Sequence, residues 1–484
     1  MLDVRTVLFL LGILLSLIAA LMLAPLSLDY FFYEGHHWQE FAVSSFICGL
    51  AGTLLFVSNQ PHHAIALGVR EAFLFTTTLW IVGSLVSSLP FYFSSLHIVF
   101  TDALFEATSA LTTTGATILI GLDSMPKSIL LWRAMLQWLG GIGIIVMAMI
   151  IFPILRIGGM HLFRSEFSDR SEKILPRVSQ IATGIFAVYS TLTLLCLFFL
   201  YMAGMDFFNA VCHSMATLST GGLSTRDTSI QAFHSWQIEL VLMVFMTLGG
   251  GTLILYVKAW QKDAQSLIRD PQYRVYLITL LLSGTLLSLW HFSMNNVTFL
   301  VALRQGFFSV ISITTTTGFF IADYTVWGSF PGMLMVILGM IGGCTGSTSG
   351  GIKIFRVQIF FSFALSHLRQ LRRVHGVYIP TFKGQKLSEN ISLSIFIFMT
   401  LYIMCTFILA LILSFFDLDF TTAFTGAVGA MSNLGVGVGK VIGPSGSFSS
   451  LTMGPKLGLM IGMLLGRLEL LTILVLFLPS FWKN

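Results

Sequence analysis

Leu111-Thr112-Thr113-Thr114-Gly115 closes an apolar stretch, residues 100–112, that is too short to cross a bilayer. Three further runs of this kind follow: Leu218-Ser219-Thr220-Gly221 after residues 206–218, Thr315-Thr316-Thr317-Gly318 after 299–314, and Ser432-Asn433-Leu434-Gly435 after 419–431. The four glycines recur at roughly even intervals, so each run belongs to one copy of a large unit. A hydroxyl residue before a glycine often does no more than end a helix. Four such runs, each set between long apolar segments, point instead to a ring of backbone oxygens around a pore.

Working outward, the composition sets the class. Of 484 residues, 55% are hydrophobic and 10% charged, and the mean hydropathy is +0.87. A soluble fold has no interior large enough for that apolar surface, so most of it faces lipid. Five scattered cysteines include no CxxC pair and read as small core residues. The first apolar run, residues 7–24 after Arg5, is long enough to span and reads as a retained helix rather than a signal peptide.

The expected fold is an all-α polytopic membrane protein. Candidate spans cover residues 6–25, 41–58, 71–93, 129–155, 181–203, 236–257, 275–292, 332–353, 392–416 and 453–480. The short apolar stretches between certain pairs suit re-entrant half-helices. Two leading spans (1–66) then precede four span–half-helix–span repeats, at 67–178, 179–272, 273–388 and 389–484. Most of the 26 basic residues fall on one side, among them Arg5, Arg70, Arg156, Arg164, Arg170, Lys173, Arg177, Lys258, Lys262, Arg269, Arg274, Lys353, Arg356, Arg369, Arg372, Arg373, Lys383, Lys386 and Lys483. That side is cytoplasmic by the positive-inside rule, both termini included. The half-helices then enter from outside, where Asp102, Asp206, Asp323, Asp417 and Asp419 lie near their ends. Acids there favour the helix dipole, and they also concentrate cations at an outer mouth.

Non-helical backbone at membrane depth is tolerated only inside protein or beside a water-filled cavity. Its carbonyls replace the hydration shell of a cation, and glycine reaches the φ values that aim several of them at one axis. With no carboxylate in any run, the ring suits a monovalent cation. Gly342-Gly343-Cys344-Thr345-Gly346-Ser347-Thr348-Ser349-Gly350-Gly351 interrupts the second long span of the third repeat. So much glycine breaks a helix. The run lacks the GxxxxGK[ST] order of a phosphate loop, which leaves a movable plug or a packing kink. Arg467, deep in the last span, favours the plug, because an intramembrane charge faces a bundle interior or a cavity. Its candidate partners are the loop carbonyls and Glu469. Arg304, in the third half-helix, reads as an anchor near the outer water. The histidines show no ligand spacing, and nothing resembles a catalytic triad, so the chain does not read as an enzyme.

These residues resemble the TrkH/TrkG family of bacterial potassium-uptake proteins, in the superfamily that includes KtrB and the plant HKT transporters. The resemblance runs from about residue 70 to the C-terminus. It rests on the four runs, on Gln137-Trp138-Leu139-Gly140-Gly141-Ile142-Gly143, on Leu175-Pro176-Arg177, on the 342–348 loop and on Gly466-Arg467-Leu468-Glu469. It implies a pseudo-fourfold potassium filter with sites at Gly115, Gly221, Gly318 and Gly435, an intramembrane gate at 342–351, and Arg467 holding that gate closed. It also implies K⁺ as the only small-molecule requirement, with no organic cofactor. The implied setting is the bacterial inner membrane, and the implied partners are a second copy of the chain and a cytosolic TrkA-type nucleotide-binding ring touching the basic loops, with no nucleic acid. In this superfamily serine at the first filter glycine goes with sodium permeation, and Gly115 therefore favours potassium. A K⁺ carrier coupled to H⁺ or Na⁺ by alternating access stays open as the second reading.

Overall fold

The computed structural model describes residues 3–32, 37–61, 68–155, 174–261, 263, 265–372, 378, 380–382, 385–387, 389–439 and 441–483. Arg156, Arg164, Arg170, Lys173, Lys262, Arg373 and Lys383 lie outside them, so their expected cytoplasmic placement is not addressed. Among the described residues the secondary structure is helical apart from a short hairpin, Thr381–Phe382 with Gln385–Lys386. Helix is what lipid demands of a spanning chain, since it satisfies its backbone polar groups internally. Among the described residues seven helices are long and apolar enough to cross a membrane: Val4–Phe32, Trp38–Ser58, Val69–Phe93, Lys127–Ile145, Gln180–Met202, Pro271–Met294 and Ile391–Phe415. The protein is a multi-pass membrane protein. The two leading helices pack through small residues, with Gly12 against the backbone of Gly52 and Phe56, and the Cys48 thiol donates to the Leu15 carbonyl at 3.1 Å.

Besides the span that the 342–351 glycines were expected to interrupt, two spans that read as continuous in the sequence are sharply bent. Trp236–Gly249 and Leu253–Trp260 meet at 93° across Gly250-Gly251-Thr252, and Met453–Arg467 and Leu471–Phe477 meet at 103°. In the third repeat Ser329–Ile341 stops at Gly342, whose φ is +71°, and helix resumes only at Ile354–Arg372. The corresponding helix of the first repeat, Lys127–Leu155, runs on without a break.

Four short helices match the expected half-helices: Phe100–Leu111, Phe207–Leu218, Phe299–Thr314 and Phe420–Ser432. Asp206 caps the second by accepting from Asn209 N at 3.2 Å, and Asp419 caps the fourth by accepting from Thr422 N at 3.1 Å. Asp102, in the first turn of the first, is 2.7 Å from Lys456 Nζ. These carboxylates satisfy helix ends and a partner cation. Asp206→Ala and Asp419→Ala are each expected to cost about 1 kcal/mol, read as a lowered melting temperature in detergent.

The chain termini lie side by side. Asp3 N donates to Glu71 at 3.1 Å, Arg70 Nη1 donates to the Lys483 carbonyl at 3.0 Å, and the Phe73 and Phe481 rings meet edge to face.

Candidate functional site

Each half-helix ends in the same backbone turn. Thr113, Thr220, Thr316 and Asn433 are left-handed, with φ between +51° and +56°. The next residue in each case, Thr114, Gly221, Thr317 or Leu434, donates its N–H to the carbonyl five residues back. Left-handed backbone costs a non-glycine residue about 1–2 kcal/mol. Four such residues at matching positions mark a conformation that the surrounding protein enforces.

This register corrects the second run. The counterpart of Gly115 (φ +83°) and Gly318 (φ +87°) is Gly222 (φ +74°), while Gly221 sits where Thr114 sits in the first repeat. Leu218, expected in the run, is the last helical residue, and its carbonyl already accepts from Thr348 Oγ1 at 2.9 Å. The glycine doublet at 221–222 hides the register in the sequence.

The four runs meet as neighbours in cyclic order. A Cβ on Gly115 would overlap the Gly221 carbonyl oxygen, and one on Gly222 would overlap that of Thr317. A Cβ on Gly318 would lie 3.9 Å from Gly435 N, and one on Gly435 would overlap the Gly115 carbonyl. Side chains brace the ring unequally. Thr112 with Thr114 and Thr315 with Thr317 pair their hydroxyls at 2.8 Å. Ser219 has no such partner, since position 221 is glycine, and Ser432 bonds Tyr402 instead at 2.8 Å. Asn433 Nδ2 donates to Thr114 Oγ1 at 3.1 Å, tying the fourth run to the first.

The glycine-rich loop lies against the helix-terminal ends of these runs. The Thr348 hydroxyl reaches the Leu218 and Gly249 carbonyls at 2.9 and 3.1 Å. Gly350 N donates to Thr316 Oγ1 at 2.8 Å, and a Cβ on Gly350 would overlap the Ser432 carbonyl. The same loop fills the break in the second repeat: Cys344 N donates to Gly250 O at 2.9 Å, Thr252 Oγ1 to Thr345 O at 3.1 Å, and Leu253 N to Gly346 O at 3.0 Å. Within it, Gly343 N donates to Ser349 Oγ at 2.9 Å and Ser347 Oγ to Cys344 O at 2.6 Å. Arg467, 3% exposed, spans two repeats: Nη1 donates to Thr348 O at 2.9 Å and Nη2 to Gly140 O at 3.2 Å. Glu469 is not its partner. That carboxylate pairs with Arg356, whose guanidinium also lies 4.0 Å from the Phe398 ring centroid. Arg356 is thus buried and Lys353 bonds the Ser349 carbonyl, while Arg369 and Arg372 are exposed. A small cavity beneath the loop is lined by Ser349, Gly350, Lys353, Asn433 and Arg467.

Sequence reasoning missed a buried pair behind the first run. Glu106, in the first half-helix, is 2.7 Å from Arg133, and both are fully buried. An acid seven residues before a left-handed turn, with His213 at the matching place in the second half-helix, was the available signal. Arg304 does act as an anchor, 3.2 Å from Glu239. Arg226 lies 2.8 Å from Asp123 and its hydrogen bond holds that carboxyl below the usual carboxylate range.

The TrkH family profile, described as a cation transport protein, matches residues 37–484. The chain is 40% identical to the Trk system potassium uptake protein TrkI of Halomonas elongata, covering 87% of this chain and 85% of that protein. It is 36% identical to the Trk system potassium uptake protein TrkH of Escherichia coli K12, covering 99% of both. The crystal structure of the potassium transporter TrkH from Vibrio parahaemolyticus superposes with a TM-score of 0.91 at 32% identity, covering 99% of each chain.

Proposed function

Because the chain belongs to the TrkH family of cation transport proteins, which are transporters and not enzymes, we propose that it takes up potassium across the bacterial inner membrane through a channel-like pore. The observation that carries the reading is the cyclic meeting of four equivalent backbone turns, each ending in Gly115, Gly222, Gly318 or Gly435. Their carbonyls replace the hydration shell of K⁺, the substrate, and the half-helices add the negative ends of their dipoles. The 342–351 loop closes the pore from the other side, and Arg467 holds it there. Both termini face the cytoplasm, as does the exposed end of the Ile354–Arg372 helix, where a TrkA-type nucleotide-binding ring docks on a homodimer.

Alternating-access coupling to H⁺ or Na⁺ is the second reading. Four half-helices that end in the same turn around one axis favour the pore, since carriers of that kind are built on inverted repeats. Purified protein in liposomes is expected to pass K⁺ and Rb⁺ well above Na⁺, with flux following the K⁺ gradient alone. Equal Na⁺ and K⁺ flux removes the selectivity claim, and flux that needs a H⁺ or Na⁺ gradient transfers the protein to the carrier reading.

A further inference from the structure

The chain segments leaving the four runs are braced in two different ways. In the third repeat the Ser312 hydroxyl donates to the Phe319 carbonyl at 2.6 Å, and in the fourth Thr425 Oγ1 accepts from Val438 N at 3.0 Å. Neutral hydroxyls serve both quarters, since Phe320 N also donates to Ser229 Oγ at 3.5 Å and the Tyr324 hydroxyl to the Gly437 carbonyl at 3.3 Å. The first two quarters share a charged network instead. Both oxygens of Glu106 lie 3.0 Å from Thr117 Oγ1, and Oε2 accepts from Ile118 N at 3.1 Å. Arg133 Nε is 2.7 Å from Glu106 Oε1, while Nη2 donates to Thr117 Oγ1 at 3.1 Å and Nη1 to the Ser224 carbonyl at 3.0 Å.

Thr117 and Ser224 are counterparts, each four residues past its left-handed threonine. The Arg133 fork therefore bridges equivalent points on neighbouring quarters. His213 holds the same Ser224 from the other side, its Nε2 3.0 Å from the hydroxyl. One helical turn further along the span, Gln137 Oε1 accepts from Leu223 N at 3.2 Å. A buried ion pair adds little stability over an apolar replacement of similar volume, so stability alone does not account for this one. What a planar guanidinium and a carboxylate do supply is direction, because the fork fixes several atoms at once.

Resting on the filter reading above, we propose that Glu106 and Arg133 are positioning residues for selectivity, which set the spacing between the first and second quarters of the ring. They touch no ion. They hold the outgoing backbone of both quarters so that the carbonyls keep the separation K⁺ requires. Selectivity is then set unequally around the ring, with the first and second quarters stiff and the third and fourth compliant.

The test is the K⁺-to-Na⁺ permeability ratio, from reversal potentials of the full chain in planar bilayers or liposomes. The paired variant Glu106→Gln/Arg133→Met leaves no unpaired buried charge. It is expected to keep conducting K⁺ while the ratio falls about tenfold, the change that follows from losing one strong hydrogen bond's worth of discrimination. Thr117→Val keeps the ion pair and removes only the hydroxyl it grips, and is expected to lower the ratio part of the way. An unchanged ratio in a paired variant that elutes and melts like the unmutated protein overturns the proposal. If the paired variant does not fold, Thr117→Val decides it, and an unchanged ratio there overturns it equally. An unmutated protein that fails to discriminate overturns the filter reading and the brace with it, and is told apart because the loss precedes any substitution.

Discussion

Arg467→Ala is expected to raise K⁺ flux without any regulatory partner by about a hundredfold. The guanidinium donates two charged hydrogen bonds, to the carbonyls of Thr348 and Gly140, in a fully buried setting. Bonds of that type contribute about 1.5–3 kcal/mol each, so the closed arrangement loses at least about 3 kcal/mol, roughly two decades in the open-to-closed ratio. On the proposed reading the effect falls on the gate, because one of the two carbonyls belongs to the loop and the other to the unbroken Lys127–Leu155 helix. Arg467→Lys keeps the charge but lacks the planar fork, and an intermediate flux is expected. Rb⁺ uptake into liposomes with and without a K⁺ gradient measures both variants. A basal flux equal to that of the unmutated protein would detach Arg467 from gating and leave the loop a packing kink.

The second large effect concerns the ring itself. Gly115→Ser and Gly222→Ser are each expected to reduce the K⁺-to-Na⁺ ratio tenfold or more. Both positions are left-handed, and both would drive a Cβ into the carbonyl oxygen of the next quarter. The strain is of order 1–3 kcal/mol at each site, and on the proposed filter reading it moves the oxygens that would contact the ion. Gly318→Ser carries the same φ penalty at +87°, yet its Cβ would meet nothing nearer than Leu434 Cδ1 at 3.7 Å, so a smaller loss is expected. The ordering of the three by reversal potential tests the register. A Gly222→Ser protein as selective as the unmutated one would return the second site to Gly221.

Much of this was legible in the chain because the membrane restricts what a sequence can do. Half-helix ends fell within a residue or two of the apolar stretches, since a short apolar run bounded by polar turns has few other uses in lipid. The loop at 342–351 announced itself through glycine content alone. What stayed hidden were features set by backbone register and long-range partners. Gly221 and Gly222 are indistinguishable until the left-handed Thr220 fixes which carbonyl points where. Glu106 and Arg133 are 27 residues apart, and no spacing rule joins them. The bends at Gly250 and Leu468 lie inside runs that read as continuous spans. Arg356 reads only as one more basic residue until its buried partner, Glu469, is seen.

Three of the four joints around the ring are made of polypeptide, because each quarter continues into the next. The fourth, between the last quarter and the first, is closed by side chains and backbone hydrogen bonds. Phe448 N donates to Thr117 O at 3.1 Å, Lys456 grips Asp102, Asn433 reaches Thr114, Arg467 reaches Gly140, and Arg70 donates to the Lys483 carbonyl. That clasp joins the half-helix starts, the four runs and the glycine-rich loop to the region where Arg70 and Lys483 meet. The seam is therefore a joint whose separation would open the circle into an arc.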